Sequence, residues 1–86
     1  MAASEAMAIR WYTAAALLGD AQAQRNLGRH KIVGRGCEPD TDAGILWLQA
    51  AADQGMAAAA SELAYAKTVA GRLAIRAGVW TETMFG

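Results

Sequence analysis

Only a few side chains in this sequence are of a kind that does chemistry. His30 and Cys37 are each the single residue of their type among 86. A cysteine and a histidine form a nucleophilic pair when the ring lies within hydrogen-bond reach of the thiol and a third group orients it. Nothing in the spacing of these two supplies that third group. One His and one Cys also leave a tetrahedral zinc shell half empty. Gly34-Arg35-Gly36 lacks the third glycine and the preceding strand of a phosphate-cradling loop. No catalytic residue, metal or cofactor is therefore expected, and the chain is not expected to be an enzyme.

The basic residues pose a second question. Arg25, Arg29, His30, Lys31 and Arg35 lie in a stretch with no acidic residue between Ala21 and Cys37. On a helix, Arg25 and Arg29 share one side, opposite or flanking Leu27. Such a cluster is what a nucleic-acid footprint looks like. No aromatic residue interleaves with it to stack bases, however, and eight basic against eight acidic residues leave zero formal charge. The expected reading is a solvated outer face whose charges offset Asp20 and Glu38. Nucleic acid is not the expected partner.

Stepping from these residues to their supports, composition points to helices. Twenty-two of the 86 residues are alanine, the best helix former, and only one is proline. The fold class is all-α. A lone cysteine builds no internal disulfide, and the first residues lack a basic segment leading into an apolar one. The uncharged runs Trp11–Gly19 and Ala43–Ala52 are about half of what spans a bilayer. A soluble, cytoplasmic protein is expected.

The helices repeat. At an offset of 36, Trp11 falls on Trp47, Ala14, Ala15 and Ala16 on Ala50, Ala51 and Ala52, and Gly19 on Gly55; Ala21, Ala23 and Leu27 then meet Ala57, Ala59 and Leu63. Alanine matches are cheap in this chain, but Trp, Gly and Leu coinciding at one offset are not. Each copy reads as two helices. Ala8, Trp11/Tyr12, Ala15 and Leu18 form one stripe, matched by Gly44, Trp47/Leu48, Ala51 and Gln54. Gly19 and Gly55 stand where helices end, and Asp20 and Asp40 stand where the next helices need an N-cap. Ala23 and Leu27, then Ala59, Leu63 and Ala66, line one face of the second helices. By their repeat positions Trp11 and Trp47 belong to the core between helices. The expected organisation is one α-solenoid domain of about two repeats and four main helices. Repeat one covers about 4–33, the Gly- and Pro-bearing loop 34–40, repeat two about 41–70, and a divergent tail 71–86. Within that tail Gly78–Glu82 echoes Gly36–Asp40 at an offset of 42, as a third repeat would begin.

These residues together resemble the Sel-one-like repeat family, a relative of the tetratricopeptide repeat. Its unit carries a Gly-x-Gly-Val loop with a following Asp, then Ala, Trp-Tyr, Ala-Ala, Gly, Ala and Leu-Gly. The matching residues are Gly34, Gly36 and Asp40; Ala8, Trp11, Tyr12, Ala15, Ala16 and Gly19; Trp47, Ala51, Ala52 and Gly55; and Ala23, Leu27, Gly28, Ala59 and Leu63. The resemblance covers residues 4 to about 66. The chain departs from it where Cys37 replaces valine, Leu48 tyrosine, Gly44 alanine and Ala64 the second-copy glycine, and where Lys31 replaces an aromatic. The valine position implies that Cys37 is a small core residue.

The resemblance implies an α-solenoid, whose stacked helix pairs bind partners through outward residues that are free to vary. The expected function is a non-catalytic protein-interaction or scaffold module with a protein or peptide partner. Lying off the packing stripe, Arg10, Thr13, Leu46 and Gln49 are the candidate contact residues. Trp80, with Met84 and Phe85 nearby, is a fifth candidate, either covering an edge or contacting a neighbour. The alternatives are a regulatory appendage of an enzyme and a self-associating spacer, which would form homo-oligomers through exposed repeat ends.

Overall fold

The computed structural model describes residues 4–76, with side-chain environments from Glu5 to Thr68. It contains α1 (Ser4–Leu17), α2 (Ala21–Val33), α3 (Thr41–Asp53) and α4 (Ala57–Arg76), and no strand among the described residues. The fold is all-α, as its alanine content and its helical spacing require. Helix α4 runs on to Arg76. Residues 77–86, with Trp80, Met84, Phe85 and the Gly78–Glu82 echo, lie outside the described residues.

The 36-residue offset is visible in individual hydrogen bonds. After α1, the Asp20 amide donates to the Ala15 carbonyl and Gly19 to Ala16; after α3, Met56 donates to Ala51 and Gly55 to Ala52. Both turns pass through a glycine at positive φ, +96° at Gly19 and +91° at Gly55, where a side chain would be strained. Asp20 and Asp40 then cap α2 and α3, accepting from the Ala23 and Ala43 amides at 2.9 and 3.0 Å. The loop between α2 and α3 folds back over the start of α1. A Cβ on Gly36 would lie 2.5 Å from the Glu5 carbonyl oxygen, so only glycine lets the loop come this close.

Each helix packs on its neighbour in sequence, and α2 with α3 is the closest pair. One buried cluster holds Ile9, Ala16, Ala23 and Leu27, with Tyr12, Ala15, Cys37 and Trp47 packed against it. The other holds Leu48, Ala51, Ala59, Leu63 and Ala66, flanked by Ala21, Ile32, Ile45, Ala52 and Met56. Trp47 and Ala21 each join the cluster centred on the other helix pair, so the two clusters interlock. Leu27 and Leu48 are the two largest side chains sealed completely, which makes α2–α3 the mechanical centre.

Two expectations about α1 are corrected. Its buried face is Ile9, Tyr12 and Ala16 rather than a stripe through Trp11 and Leu18. Trp11 is 70% exposed and Leu18 89%. At roughly 100° per residue, turning Ile9 and Ala16 toward α2 carries Trp11 and Leu18 to the far side. Gln54, placed on the equivalent stripe of α3, is also exposed as a residue, yet its amide reaches the Gly19 carbonyl at 2.8 Å and Gln24 Oε1 at 2.9 Å. It ties the two pairs together by hydrogen bonds rather than by apolar packing. Cys37, expected in the core, is half-buried at its edge.

The crossing of α2 over α3 generates a prediction against helix propensity. A Cβ on Gly28 would meet the Gly44 carbonyl oxygen at 2.8 Å and Leu48 Cγ at 2.9 Å. Alanine at position 28 gains about 1 kcal/mol in helix propensity but forces apart a contact made by backbone, an overpacking cost of about 1–3 kcal/mol. Gly28→Ala is therefore expected to lower the urea midpoint. A raised midpoint would show that the helices have room to separate.

Candidate interaction surfaces

His30 and Cys37 are near each other but not as a catalytic pair. The His30 ring donates from Nδ1 to the Asn26 carbonyl oxygen at 2.8 Å and lies 5.3 Å, centre to centre, from the Tyr12 ring. The Cys37 thiol faces carbonyl oxygens, that of Arg35 at 3.6 Å and that of His30 at 3.7 Å, rather than the imidazole. Among the described residues no three His, Cys, Asp or Glu side chains are placed to hold a metal ion.

The basic stretch is organised differently from the solvated face expected of it. Glu62 on α4 accepts a hydrogen bond from Arg25 Nε, and its other oxygen forms a salt bridge with Arg29, whose Nε lies 3.0 Å away. Arg35 reaches back to Glu5 on α1 at 3.0 Å. Asp20 and Asp40, by contrast, are engaged as helix caps. Glu62 is the only acid in α4, and α2 contains none. That complementarity was present in the sequence, but it becomes a contact only once α2 and α4 lie on the same side of α3.

The same juxtaposition builds a groove of about 540 Å³. Leu48 and Thr41 of α3 line it together with Ile32 and Val33 of α2, and with Ser61, Tyr65 and Ala66 of α4. Its wall is mostly apolar, and Arg29 and Glu62 stand at it as a charged pair. Val33 and Tyr65 are both largely exposed. A second, shallower hollow of about 300 Å³ lies on α1 between Met7, Arg10, Trp11 and Ala14.

The four first-helix residues named from the sequence separate into two kinds. Arg10 and Leu46 are exposed, and Arg10 lines the α1 hollow. Thr13 and Gln49 are half-buried and already bonded within their own helices, Thr13 Oγ1 donating to the Ile9 carbonyl at 2.6 Å and Gln49 Nε2 to Asp53 Oδ1 at 2.8 Å. The structure does not bring these four into one site. The groove was missed because its residues come from three helices and share no spacing.

A family model for the Sel1 repeat matches residues 2–20 and 21–56. The chain belongs to the Sel1 repeat family. The second match spans 36 residues, from 21 to 56, the same as the internal offset. It runs from α2 through the loop and α3, so this Sel1 unit contains the closest helix pair of the fold. Sel1 repeats are generally protein-interaction modules. No curated protein and no solved structure matches the chain significantly. No described helix is long and apolar enough to cross a membrane.

The two arginines on Glu62 differ in worth. The Arg25 and Glu62 side chains are about equally shielded from solvent, whereas Arg29 is half exposed and more screened by it. Glu62→Ala is expected to cost about 1 kcal/mol, and double-mutant cycles should give Glu62 a larger coupling to Arg25 than to Arg29. Equal couplings in denaturant unfolding would contradict this ranking.

Proposed function

We propose that the chain is a non-catalytic protein-interaction module and that the groove between α2 and α4 is its binding site for a partner peptide. The groove itself carries this reading. It is a concave, mostly apolar surface with a few convergent polar groups, the general form of a recognition site. Val33 and Tyr65 supply apolar area at its edges, while Thr41, Ser61 and the Arg29–Glu62 pair supply orientation. Arg10 and Leu46 flank the other faces as secondary contacts, and Trp80 remains a candidate of the same kind. The backbone bonds of His30 and Cys37 support a non-catalytic role. A cytoplasmic setting accords with the free thiol of Cys37.

The test is selection of peptides from a random display library against the 86-residue chain. Selected peptides are expected to bind at least tenfold more weakly to a Val33→Asp/Tyr65→Asp variant. Both residues are exposed, so helix content measured by circular dichroism should be unchanged. Undiminished binding to a folded double variant would remove the groove from consideration.

A further inference from the structure

Zero formal charge conceals a segregation of charge between helices. Six of the eight basic residues, Arg25, Arg29, Lys31, Lys67, Arg72 and Arg76, lie in α2 and α4, with only one of the eight acids, Glu62. Helices α1 and α3 hold Arg10 against Glu5, Asp42 and Asp53. The helices on either side of the groove are therefore the basic ones, and the recess between them is formed by described helices throughout.

The charge has a place along the groove. On α2 the wall begins at Arg29 and continues to Ile32 and Val33; on α4 it begins at Ser61 and Glu62 and continues to Tyr65 and Ala66. Arg25 and Arg29 share the one carboxylate of Glu62, which leaves this end with a surplus positive charge, and Arg29 stays half exposed. Helix α2 ends at Val33, whereas α4 runs ten residues past Ala66, about 15 Å. Position 72 falls on that extension about 10 Å beyond Tyr65, roughly one Debye length at 0.1 M salt, so its charge is still felt at the groove. Acids adjoin the lining at Thr41, but Asp40 is engaged at the Ala43 amide and Asp42 is not part of the wall.

We infer that the partner of the groove is an acidic peptide, with an apolar side chain in the recess and carboxylates drawn by the positive field of α2 and α4. This deepens the reading of the groove as the peptide site and rests on it. Apolar walls of Ile32, Val33, Leu48 and Ala66 suit an aliphatic anchor, which nucleic acid does not carry. Tyr65 is the one aromatic ring among the described lining residues, too few for a platform on which successive bases stack. The field supplies selection rather than most of the affinity: it favours acidic sequences, disfavours basic ones and weakens with salt.

The test is fluorescence anisotropy of the 86-residue chain with three synthetic peptide pools, each a central leucine among random neutral residues, flanked by glutamate, glutamine or lysine. The glutamate pool is expected to bind at least tenfold tighter than the glutamine pool at about 50 mM salt, and the margin should narrow at about 300 mM. Val33→Ser/Tyr65→Ser, neutral changes at exposed residues, should weaken both pools. Arg72→Glu/Arg76→Glu should turn the preference towards the lysine pool, a gain that an unfolded chain could not give; an unchanged preference would overturn the inference. Equal binding of the glutamate and glutamine pools, both weakened by Val33→Ser/Tyr65→Ser, would overturn the acidic partner and leave the groove standing. A glutamate preference indifferent to Val33→Ser/Tyr65→Ser would remove the groove and this inference with it, as would absence of binding by every pool. Tighter binding to a thymidine oligonucleotide or to phosphatidylserine vesicles than to the glutamate pool would overturn it in favour of nucleic acid or membrane.

Discussion

Gly28 and Gly44 face each other where α2 crosses α3, each with the other's carbonyl oxygen in the space that a Cβ would occupy. The rest of the structure follows from that approach. It brings Leu27 and Leu48 fully out of water, and each such side chain contributes about 1.5–3 kcal/mol of transfer free energy. In a chain whose other buried side chains are mostly alanines, two sealed leucines are a large share of the apolar core. The close crossing also sets how far apart α2 and α4 lie above α3. That separation decides both the Glu62 bridge to Arg25 and Arg29 and the width of the groove. A wider crossing would lengthen the ion pairs and flatten the groove together.

This crossing also explains why one departure from the family pattern is tolerated. Gly44 stands where the repeat has alanine, and its missing Cβ leaves room for Ile32 Cγ1 at 2.5 Å from the ideal Cβ position as well as for the Gly28 carbonyl. The second copy has Ala64 in place of Gly28, and there Ala64 is exposed, so the extra methyl meets nothing described. A residue type at a repeat position is constrained by the helix that lies across it, and not by the repeat as such.

The legibility of the fold in the sequence divides along the same line. Helix ends were readable, because a glycine in a left-handed turn and an aspartate cap are local requirements met by residues next to the turn. The faces of the second helices were readable as well, since Ala23, Leu27, Ala59 and Leu63 satisfy both the 36-residue offset and the helical period, and Ala66 continues that period. The face of α1 was not. Ile9 and Trp11 are both large and apolar, and periodicity cannot choose between stripes when a helix is apolar on two sides. Repeat position favoured Trp11, but a repeat offset transfers the residue and not its neighbours. Trp47 is covered by the pair that precedes it, while Trp11 has no described pair before it. The groove and the Glu62 bridge were illegible for a different reason: they join residues from separate helices, and only the tertiary crossing makes them adjacent.

The two surfaces also differ in kind, and that difference follows from how a solenoid distributes its side chains. The groove is made inside the stack, from three consecutive helices, so its shape is fixed by the packing that holds the fold together. Its recognition chemistry is correspondingly mixed, with hydroxyls and an ion pair beside apolar walls. The α1 face belongs to one helix, and no other described helix packs on it. Gln54 shows that a polar residue serves well at the equivalent position of the second repeat. Leucine at position 18 and methionine at position 7 instead leave apolar surface in water. Exposed apolar area of that arrangement is stabilised only by being covered. The least amphipathic helix of the four is thus apolar both on the face packed against α2 and on the face turned away from it.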